Sequence, residues 1–200
     1  MNQSLLDSNS FLLDLPFKGA RNYLHSTDIV PALAAIAKQK FGSEASLHSL
    51  TLRKPFKHAI QAAFQAAPAS SGTFKLRTES GSVSGWLVET DLPVVSRRPF
   101  DSSLLAAAAH LEPGVARLLE PLSGFTALEA AVGLMKLVAR QVDSRFWWLS
   151  QIELAAPLPE TYPLQVSIWH NVASQCLVFT IDSAGAQAGS AKLIIDSAKS

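Results

Sequence analysis

The stretch Ser26-Thr27-Asp28-Ile29-Val30-Pro31-Ala32-Leu33 predicts the start of a helix, and a second stretch later in the chain repeats its character. The second stretch is Gly124-Phe125-Thr126-Ala127-Leu128-Glu129-Ala130-Ala131. In both stretches an acidic residue follows capping or breaker residues and precedes apolar residues, which is typical of a helix N-terminus. Each stretch is followed by four strand-like runs that end in a glycine-containing hairpin. The chain is therefore predicted to have two similar halves.

The spacing between matching residues is nearly the same along the two halves. It is 101 residues from Asp28 to Glu129 and 104 residues from Gly85 to Gly189. A near-constant offset is typical of a tandem duplication, here of a unit of about 100 residues. We therefore expect two halves that pack as a pseudo-dimer, with any functional site at their junction.

The composition is that of an ordinary soluble globular chain. Of the 200 residues, 48% are hydrophobic and 16% are charged. The formal net charge is +1, and the basic residues are too scattered for a nucleic-acid partner, which requires clustered Lys and Arg.

Several features bear on localisation. Cys176 is the single cysteine, so no intrachain disulfide can form and a reducing compartment is expected. The first 14 residues contain two Asp and no Lys or Arg, unlike a secretory signal. Because no apolar run is long enough for a membrane span, we expect a cytoplasmic protein.

Hydrophobic periodicity predicts an α+β fold. Helical spacing of apolar residues covers 28–40 and 126–141, and period-two alternation covers the segments that follow each helix. The order of a helix and then strands disfavours a doubly wound parallel sheet. The predicted organisation is a first half over 1–92, a connector with a short helix over 93–123, and a second half over 124–200.

Strand parity also predicts which side chains face the core. His48 and His170 share the parity of apolar neighbours and are expected to point inward. Trp169 is expected in the core or the pseudo-dimer packing. The last strand is predicted over 191–196.

This order of elements resembles the hotdog fold in duplicated form. In the hotdog superfamily a long helix is wrapped by a curved antiparallel sheet, and two units share a continuous sheet. The resemblance covers residues 23–196 by pattern. It implies a double hotdog with two central helices, whose halves form a pseudo-dimer. One departure is that each half lacks a long strand before its helix, unless residues 11–17 and 92–98 supply short ones.

Glu129 is the strongest catalytic candidate. The run Gly124-Phe125-Thr126-Ala127-Leu128-Glu129-Ala130 resembles the central helix of the 3-hydroxyacyl-acyl-carrier-protein dehydratases, where a glycine precedes the helix and a catalytic acid lies one turn in. The resemblance implies that Gly124, Phe125 and Thr126 bind substrate, because N–H groups at a helix N-terminus polarise a thioester carbonyl. Thr126 and Glu129 also have the spacing of a capping box, in which the glutamate only bonds back to the cap.

Asp28 and His25 are the candidates of the first half. The dehydratases of this resemblance also need a histidine base, which follows a Leu-Pro pair near the N-terminus. Here Leu15-Pro16 is followed by Phe17, so the match breaks where the base should be, and His25 is the substitute. Asp28 is also a typical helix cap, and His25 is compatible with a capping or solvent-facing role.

The motifs for metals and cofactors are missing from the sequence. No two histidines have the helical i, i+4 spacing of a metal site, and no Cys/His cluster occurs, so no metal is expected. No glycine-rich phosphate loop is present either, and no cofactor is expected.

Three functions remain open, and all involve acyl thioesters of coenzyme A or acyl carrier protein. The first is a 3-hydroxyacyl dehydratase, with Glu129 as acid and His25 as base. The second is a thioesterase, with Glu129 or Asp28 orienting a hydrolytic water. The third is a non-catalytic acyl-binding or complex-forming subunit. The two-halved unit is also compatible with a homodimer.

Overall fold

The computed structural model describes residues 9–173 and 175–195. The chain divides into two compact units, Met1–Pro99 and Phe100–Ser200, here called unit one and unit two. In the described residues no helix is long and apolar enough to cross a membrane.

Unit one combines one helix with an antiparallel sheet and a small parallel pair. The sheet has the strand order β1-β4-β6-β5-β3, and β2 pairs with β7. Its elements are β1 (Ser10–Leu13), β2 (Phe17–Lys18), α1 (Ser26–Phe41), β3 (Ser46–Leu52), β4 (His58–Ala63), β5 (Gly72–Thr78), β6 (Gly81–Pro93) and β7 (Arg97–Arg98).

Unit two combines two helices with an antiparallel sheet of order β10-β13-β12-β11-β9-β8. The short α2 packs on α3. The elements are α2 (Ser102–Ala108), β8 (His110–Glu112), β9 (Val115–Leu118), α3 (Ala127–Val142), β10 (Trp147–Leu154), β11 (Leu164–Val172), β12 (Cys176–Ser183) and β13 (Ala186–Ile195).

Each long helix covers one face of the sheet in its own unit. α1 buries Ile29, Leu33 and Ile36 and packs mainly on β3. α3 buries Leu134 and Val138 and packs on β9, β10 and β11. Apolar residues three, four or seven positions apart form one stripe on a helix, so both helices bury the face that the periodicity predicts. The predicted helix-then-sheet architecture is confirmed as an α+β fold.

The two units share an order of elements but not an order of strands. Counted from the helix, the first strand neighbours the third in unit one (β3 and β5) but the fourth in unit two (β10 and β13). The strands after α1 do not form a simple meander, because β6 lies between β4 and β5. A plain tandem copy would keep one strand order in both halves.

The positions of the glycines in the two sheets also differ between the units. Gly189 on β13 opposes Leu154, and a Cβ there would lie 2.4 Å from the Glu153 carbonyl oxygen. In unit one Gly72, not Gly85, has this position, since it opposes Leu52 on β3. The match of Gly85 with Gly189 in the sequence does not join equivalent positions of the two sheets.

Some sequence predictions fail at the strands. Residues 93–123 contain the unpredicted pair β8 and β9, and β9 pairs with β11. His48 and His170 do not point into the core: the first is partly exposed and the second exposed. Trp169 is 76% exposed, so its predicted place in the core is wrong. The predicted extension of the last strand to residue 196 lies outside the described residues.

Candidate active site

The strands β2 and β7 bring two cations to the start of α1. They pair in parallel, with Lys18 aligned with Arg98. Gly19 N donates to the Arg98 carbonyl at 2.9 Å, and the exposed Arg97 guanidinium donates to the Arg21 carbonyl at 2.7 Å. This pairing fixes residues 17–21 against a segment almost 80 positions away in the chain.

Asp28 receives both cations on one carboxylate oxygen. Lys18 Nζ lies 3.1 Å from Asp28 Oδ1, and Arg98 Nη2 donates to the same oxygen at 2.9 Å. Lys18 is fully buried and the Asp28 side chain is 12% exposed. The other oxygen, Asp28 Oδ2, is buried and has no hydrogen-bond partner among the described residues. A buried carboxylate oxygen without a donor retains the capacity to accept a hydrogen bond from a bound molecule.

The side chain of Thr27 links His25 to the same cluster. Thr27 Oγ1 lies 2.7 Å from His25 Nδ1 and accepts a hydrogen bond from Lys18 Nζ. His25 and Thr27 are 5% and 4% exposed. The His25 ring also stacks on Tyr23, with the ring centroids 6.2 Å apart. We call Lys18, His25, Thr27, Asp28 and Arg98 the unit-one cluster.

The helix α1 begins without a side-chain cap. His25 is the N-cap residue in extended conformation, and its side chain makes no capping hydrogen bond. The amides of Asp28 and Ile29 both bond back to the His25 carbonyl. Asp28 is therefore the third residue of the helix rather than its cap. An N-terminus of this kind presents N–H groups and a positive dipole end beside the unit-one cluster.

The N-terminus of α3 in unit two is satisfied by carboxylates. Thr126 and Glu129 form a capping box: Thr126 N donates to Glu129 Oε2 at 3.0 Å, and Glu129 N donates to Thr126 Oγ1 at 3.2 Å. Ala127 N donates to both oxygens of Glu160 at 3.0 Å. Glu129 is 5% exposed. The acids here serve the helix backbone in the way that the capping motif predicts.

The predicted substrate-binding residues Gly124 and Phe125 lie in the turn that leads into α3. Gly124 has φ +82°, and a Cβ there would meet nothing within 4 Å. Phe125 packs its ring against Phe100, with the centroids 5.1 Å apart. A positive φ of this size favours glycine whatever the surrounding space. Gly124 is thus explained by the turn that leads into the helix.

A shallow groove in unit two lies far from these residues. Its volume is about 350 Å³, and its lining includes Leu111, Pro113, Gln141 and Val142. Gln141 and Val142 are at the C-terminal end of α3, whereas Glu129 is in its first turn. A helix rises about 1.5 Å per residue, so about 20 Å of helix separate the groove from Glu129.

The structure thus brings together two of the predicted residues, His25 and Asp28, through Thr27 and Lys18. Glu129, Gly124, Phe125 and Thr126 belong to unit two. Sequence reasoning missed Lys18, Thr27 and Arg98. Lys18 directly follows Phe17, the position at which the likeness to the dehydratases breaks. That departure was the one signal in the sequence that pointed to this segment.

In the described residues no group of three or more His, Cys, Asp or Glu side chains could hold a metal ion.

Comparison with known proteins is informative at the level of structure. No protein-family model matches the chain. No curated protein sequence matches it either. A protein assigned as a thioesterase II from Thermobifida fusca superimposes with a TM-score of 0.52 at 12% identity, over 96% of this chain and 94% of that one. An acyl-ACP thioesterase from Bacteroides thetaiotaomicron gives 0.48 at 11% identity, over 94% and 97% of the two chains. The dehydratase domain of RzxB from Pseudomonas fluorescens gives 0.46 at 15% identity, over 92% and 93%.

The Thermobifida protein is a hotdog-fold protein, and the chain has the same fold. The predicted resemblance is confirmed at this level. At 12% identity the likeness to the Thermobifida protein carries the fold alone and assigns no reaction.

Proposed function

We propose that the protein hydrolyses acyl thioesters of coenzyme A or acyl carrier protein, at the unit-one cluster. The observation that carries the proposal is the Asp28 carboxylate, which is ion-paired through Oδ1 and uncommitted at Oδ2. The hotdog fold is the scaffold on which we place this chemistry, in the duplicated form of a double hotdog.

Asp28 has the features of a group that orients water. Its contacts with Lys18 and Arg98 are those of an ionised carboxylate, which accepts hydrogen bonds and has no proton to give. A water held by Oδ2 would attack the thioester carbonyl carbon and pass a proton to the carboxylate. The C–S bond then breaks, and the thiolate leaves as the thiol after taking up that proton.

The start of α1 supplies the hydrogen-bond donors for the thioester carbonyl oxygen in this scheme. Because no side chain caps this helix, the N–H groups of Ser26 and Thr27 are the ones positioned for a carbonyl oxygen. Donors at a helix N-terminus stabilise the negative charge that develops on that oxygen in the transition state. At α3 the corresponding end is filled by Glu129 and Glu160, so α1 is the better site for a thioester.

Dehydration is the second candidate, because Glu129 is buried at the start of α3 as the sequence resemblance implies. That reaction needs an acid that protonates the leaving hydroxyl and a base that removes the α-proton. In the capping box Glu129 Oε2 accepts hydrogen bonds from Thr126 N and Thr126 Oγ1, and Phe17 stands where the resemblance places the histidine base. Hydrolysis therefore has the stronger support.

The test is an assay of the full chain with acyl-CoA and acyl-carrier-protein thioesters, including 3-hydroxyacyl forms, that reads free thiol and enoyl product together. We expect thiol release that falls at least about 100-fold in Asp28→Asn, the scale of a lost acid or base. Asp91→Asn is the matched control, because Asp91 is exposed at the end of β6. Asp28→Ser, which also removes the carboxylate, is the second variant in case Asp28→Asn does not fold.

Each outcome of this assay has one meaning. Thiol release that depends on Asp28 and not on Asp91 supports hydrolysis. Enoyl product without thiol would replace hydrolysis by dehydration and return the catalytic acid to Glu129. Neither product, across short and long acyl chains, would make the protein a non-catalytic acyl-binding subunit.

A further inference from the structure

Lys18 is a buried cation that the hydrolytic scheme does not use directly. Its residue exposure is 0%, and its ammonium group contacts Thr27 Oγ1 and Asp28 Oδ1. An ammonium group has three donors and no acceptor. The hydrogen bond between Lys18 and Thr27 therefore has one possible direction, with the threonine oxygen as acceptor.

This direction constrains the hydroxyl proton of Thr27. His25 Nδ1 is 2.7 Å from the same oxygen. If Nδ1 carried a proton and donated it, Thr27 Oγ1 would accept twice, and its own proton would have no acceptor among the described hydrogen bonds of that oxygen. If Thr27 donates to Nδ1, its hydroxyl proton has an acceptor and its oxygen still accepts from Lys18.

A doubly protonated His25 is disfavoured by the same geometry. Two donors would then point at the one hydroxyl oxygen, and the hydroxyl proton would again have no acceptor among the described hydrogen bonds of that oxygen. The neutral ring with its proton on Nε2 satisfies the hydrogen bonding of Thr27 Oγ1.

We propose that Lys18 is a positioning residue that sets the tautomer of His25 through the hydroxyl of Thr27. Asp28 holds the ammonium group in place, so the ion pair and the tautomer form one unit. The tautomer itself is independent of any reaction. Its catalytic consequence rests on the proposed function: an imidazole with Nε2–H donates a hydrogen bond at that nitrogen and is not a base there.

The experiment is ¹⁵N NMR of the histidine rings in the full-length protein at pH 7.5, where the shifts of Nδ1 and Nε2 separate the two tautomers. His25 is assigned by its loss in His25→Gln. We expect an Nε2-protonated ring in the wild type and a shift toward a tautomer mixture in Lys18→Met. Lys75→Met is the matched control, because Lys75 is exposed on β5.

A second pair of variants keeps the test decisive if Lys18→Met does not fold. Thr27→Val removes the hydroxyl and should change the His25 shifts, whereas Thr27→Ser keeps the hydroxyl and should leave them as in the wild type. A wild-type ring protonated on Nδ1 would overturn the proposal, and so would unchanged shifts in Lys18→Met or in Thr27→Val.

The activity readout separates this inference from the proposed function. If the protein is a hydrolase, Lys18→Met should lower kcat about ten- to hundredfold with a smaller change in KM, within the range of a perturbed acid–base group. The expected tautomer in a protein that releases no thiol would refute the proposed function and leave the inference standing. Thioester hydrolysis together with an Nδ1-protonated His25 ring would refute the inference and leave the proposed function standing.

Discussion

At the scale of single residues, Glu129 and Asp28 occupy similar places in the sequence and have different surroundings. Both are the third residue of a helix. Glu129 bonds back to its own helix start, while Asp28 contacts two cations from another part of unit one. The sequence left both roles open for both acids, because a helix start is equally compatible with a cap and with a site. The difference between the two acids lies in the partners described for them.

The capping box leads to a first prediction. Thr126→Ala should lower the free energy of unfolding by about 1 kcal/mol, because it removes the side-chain acceptor for Glu129 N. Glu129→Gln should keep both stability and turnover, since glutamine also serves at this position of the motif. Urea denaturation and the thioester assay measure the two effects. Ser123→Ala, at an exposed neighbour, is the control, and loss of turnover in Glu129→Gln would contradict the capping role.

Glu89 on β6 binds the turn between β3 and β4 through hydrogen bonds. Its Oε1 accepts hydrogen bonds from Lys57 N at 2.6 Å and His58 N at 3.0 Å, and Lys54 Nζ donates to Oε2 at 2.5 Å. Burial alone raises the pKa of Glu89, but the hydrogen bonds from Lys54, Lys57 and His58 outweigh it and hold the pKa below its usual value of 4.5. The ionised form is therefore favoured in the folded state.

The second prediction follows from the sign of this shift. A carboxyl group whose pKa is lower in the folded state stabilises the fold above its unfolded pKa, and that contribution is lost as the pH falls through the folded value. The difference in unfolding free energy between wild type and Glu89→Gln should be constant from pH 7 to about pH 5 and shrink below about pH 4. Chemical denaturation across this range is the measurement. Glu79→Gln, on an exposed turn, should show a much smaller change with pH.

At the scale of elements, β-bulges explain why the inward histidines were predicted wrongly. The register of β3 with β5 shifts between Leu47 and Ser49, so His48 falls at the irregularity. The register of β11 with β12 shifts between Ile168 and His170, so Trp169 is the extra residue there. Each bulge adds one residue to a strand and reverses the parity beyond it. Alternation predicted the strands correctly but not the points at which the alternation breaks.

Two close glycines yield a third prediction about element packing. A Cβ on Gly189 would lie 2.4 Å from the backbone oxygen of Glu153, whereas one on Gly133 of α3 would lie 2.2 Å from the terminal carbon Cδ2 of Leu105. A strand backbone cannot move without breaking its ladder, but a leucine methyl group can rotate away. Gly189→Ala should therefore destabilise by about 1–3 kcal/mol. Gly133→Ala should cost less, because alanine also gains up to about 1 kcal/mol of helix propensity.

The comparison of these two variants is made by thermal and urea unfolding of each against wild type. The informative quantity is the difference between them, since both replace glycine with alanine. An equal or larger loss in Gly133→Ala would show that α2 cannot shift on α3 and that the Leu105 contact is rigid.

At the scale of the whole molecule, no disulfide contributes to the fold, because Cys176 is the single cysteine of the chain and is free. The fourth prediction is that the melting temperature is the same with and without a thiol reductant, and that Cys176→Ser changes stability by less than about 1 kcal/mol at its half-buried position. Differential scanning calorimetry of the purified protein measures both. A lower melting temperature in reductant would point to a disulfide between chains.

The duplicated character of the chain also belongs to this scale. The helices and the strand runs recur with a regular offset, and their order resembles the hotdog fold that the structural comparison confirms. The regular offset of the glycines gave no guide to strand order, because β5 and β13, not β6 and β13, hold equivalent positions. Offsets record distance along the chain, whereas strand order depends on which segments pair.

What the sequence determined by itself is local. The helix starts, the helical stripes, the alternation of the strands and the capping box all depend on residues within a few positions of one another, so short patterns encode them. The tertiary structure alone decided the unit-one cluster, in which Lys18 and Arg98 meet at Asp28 across 10 and 70 positions of the chain. Pairing between distant strands depends on packing of the whole unit, and no short pattern contains that information. For the same reason His25 and Asp28 were visible as candidates, while the cations and the hydroxyl that join them were not.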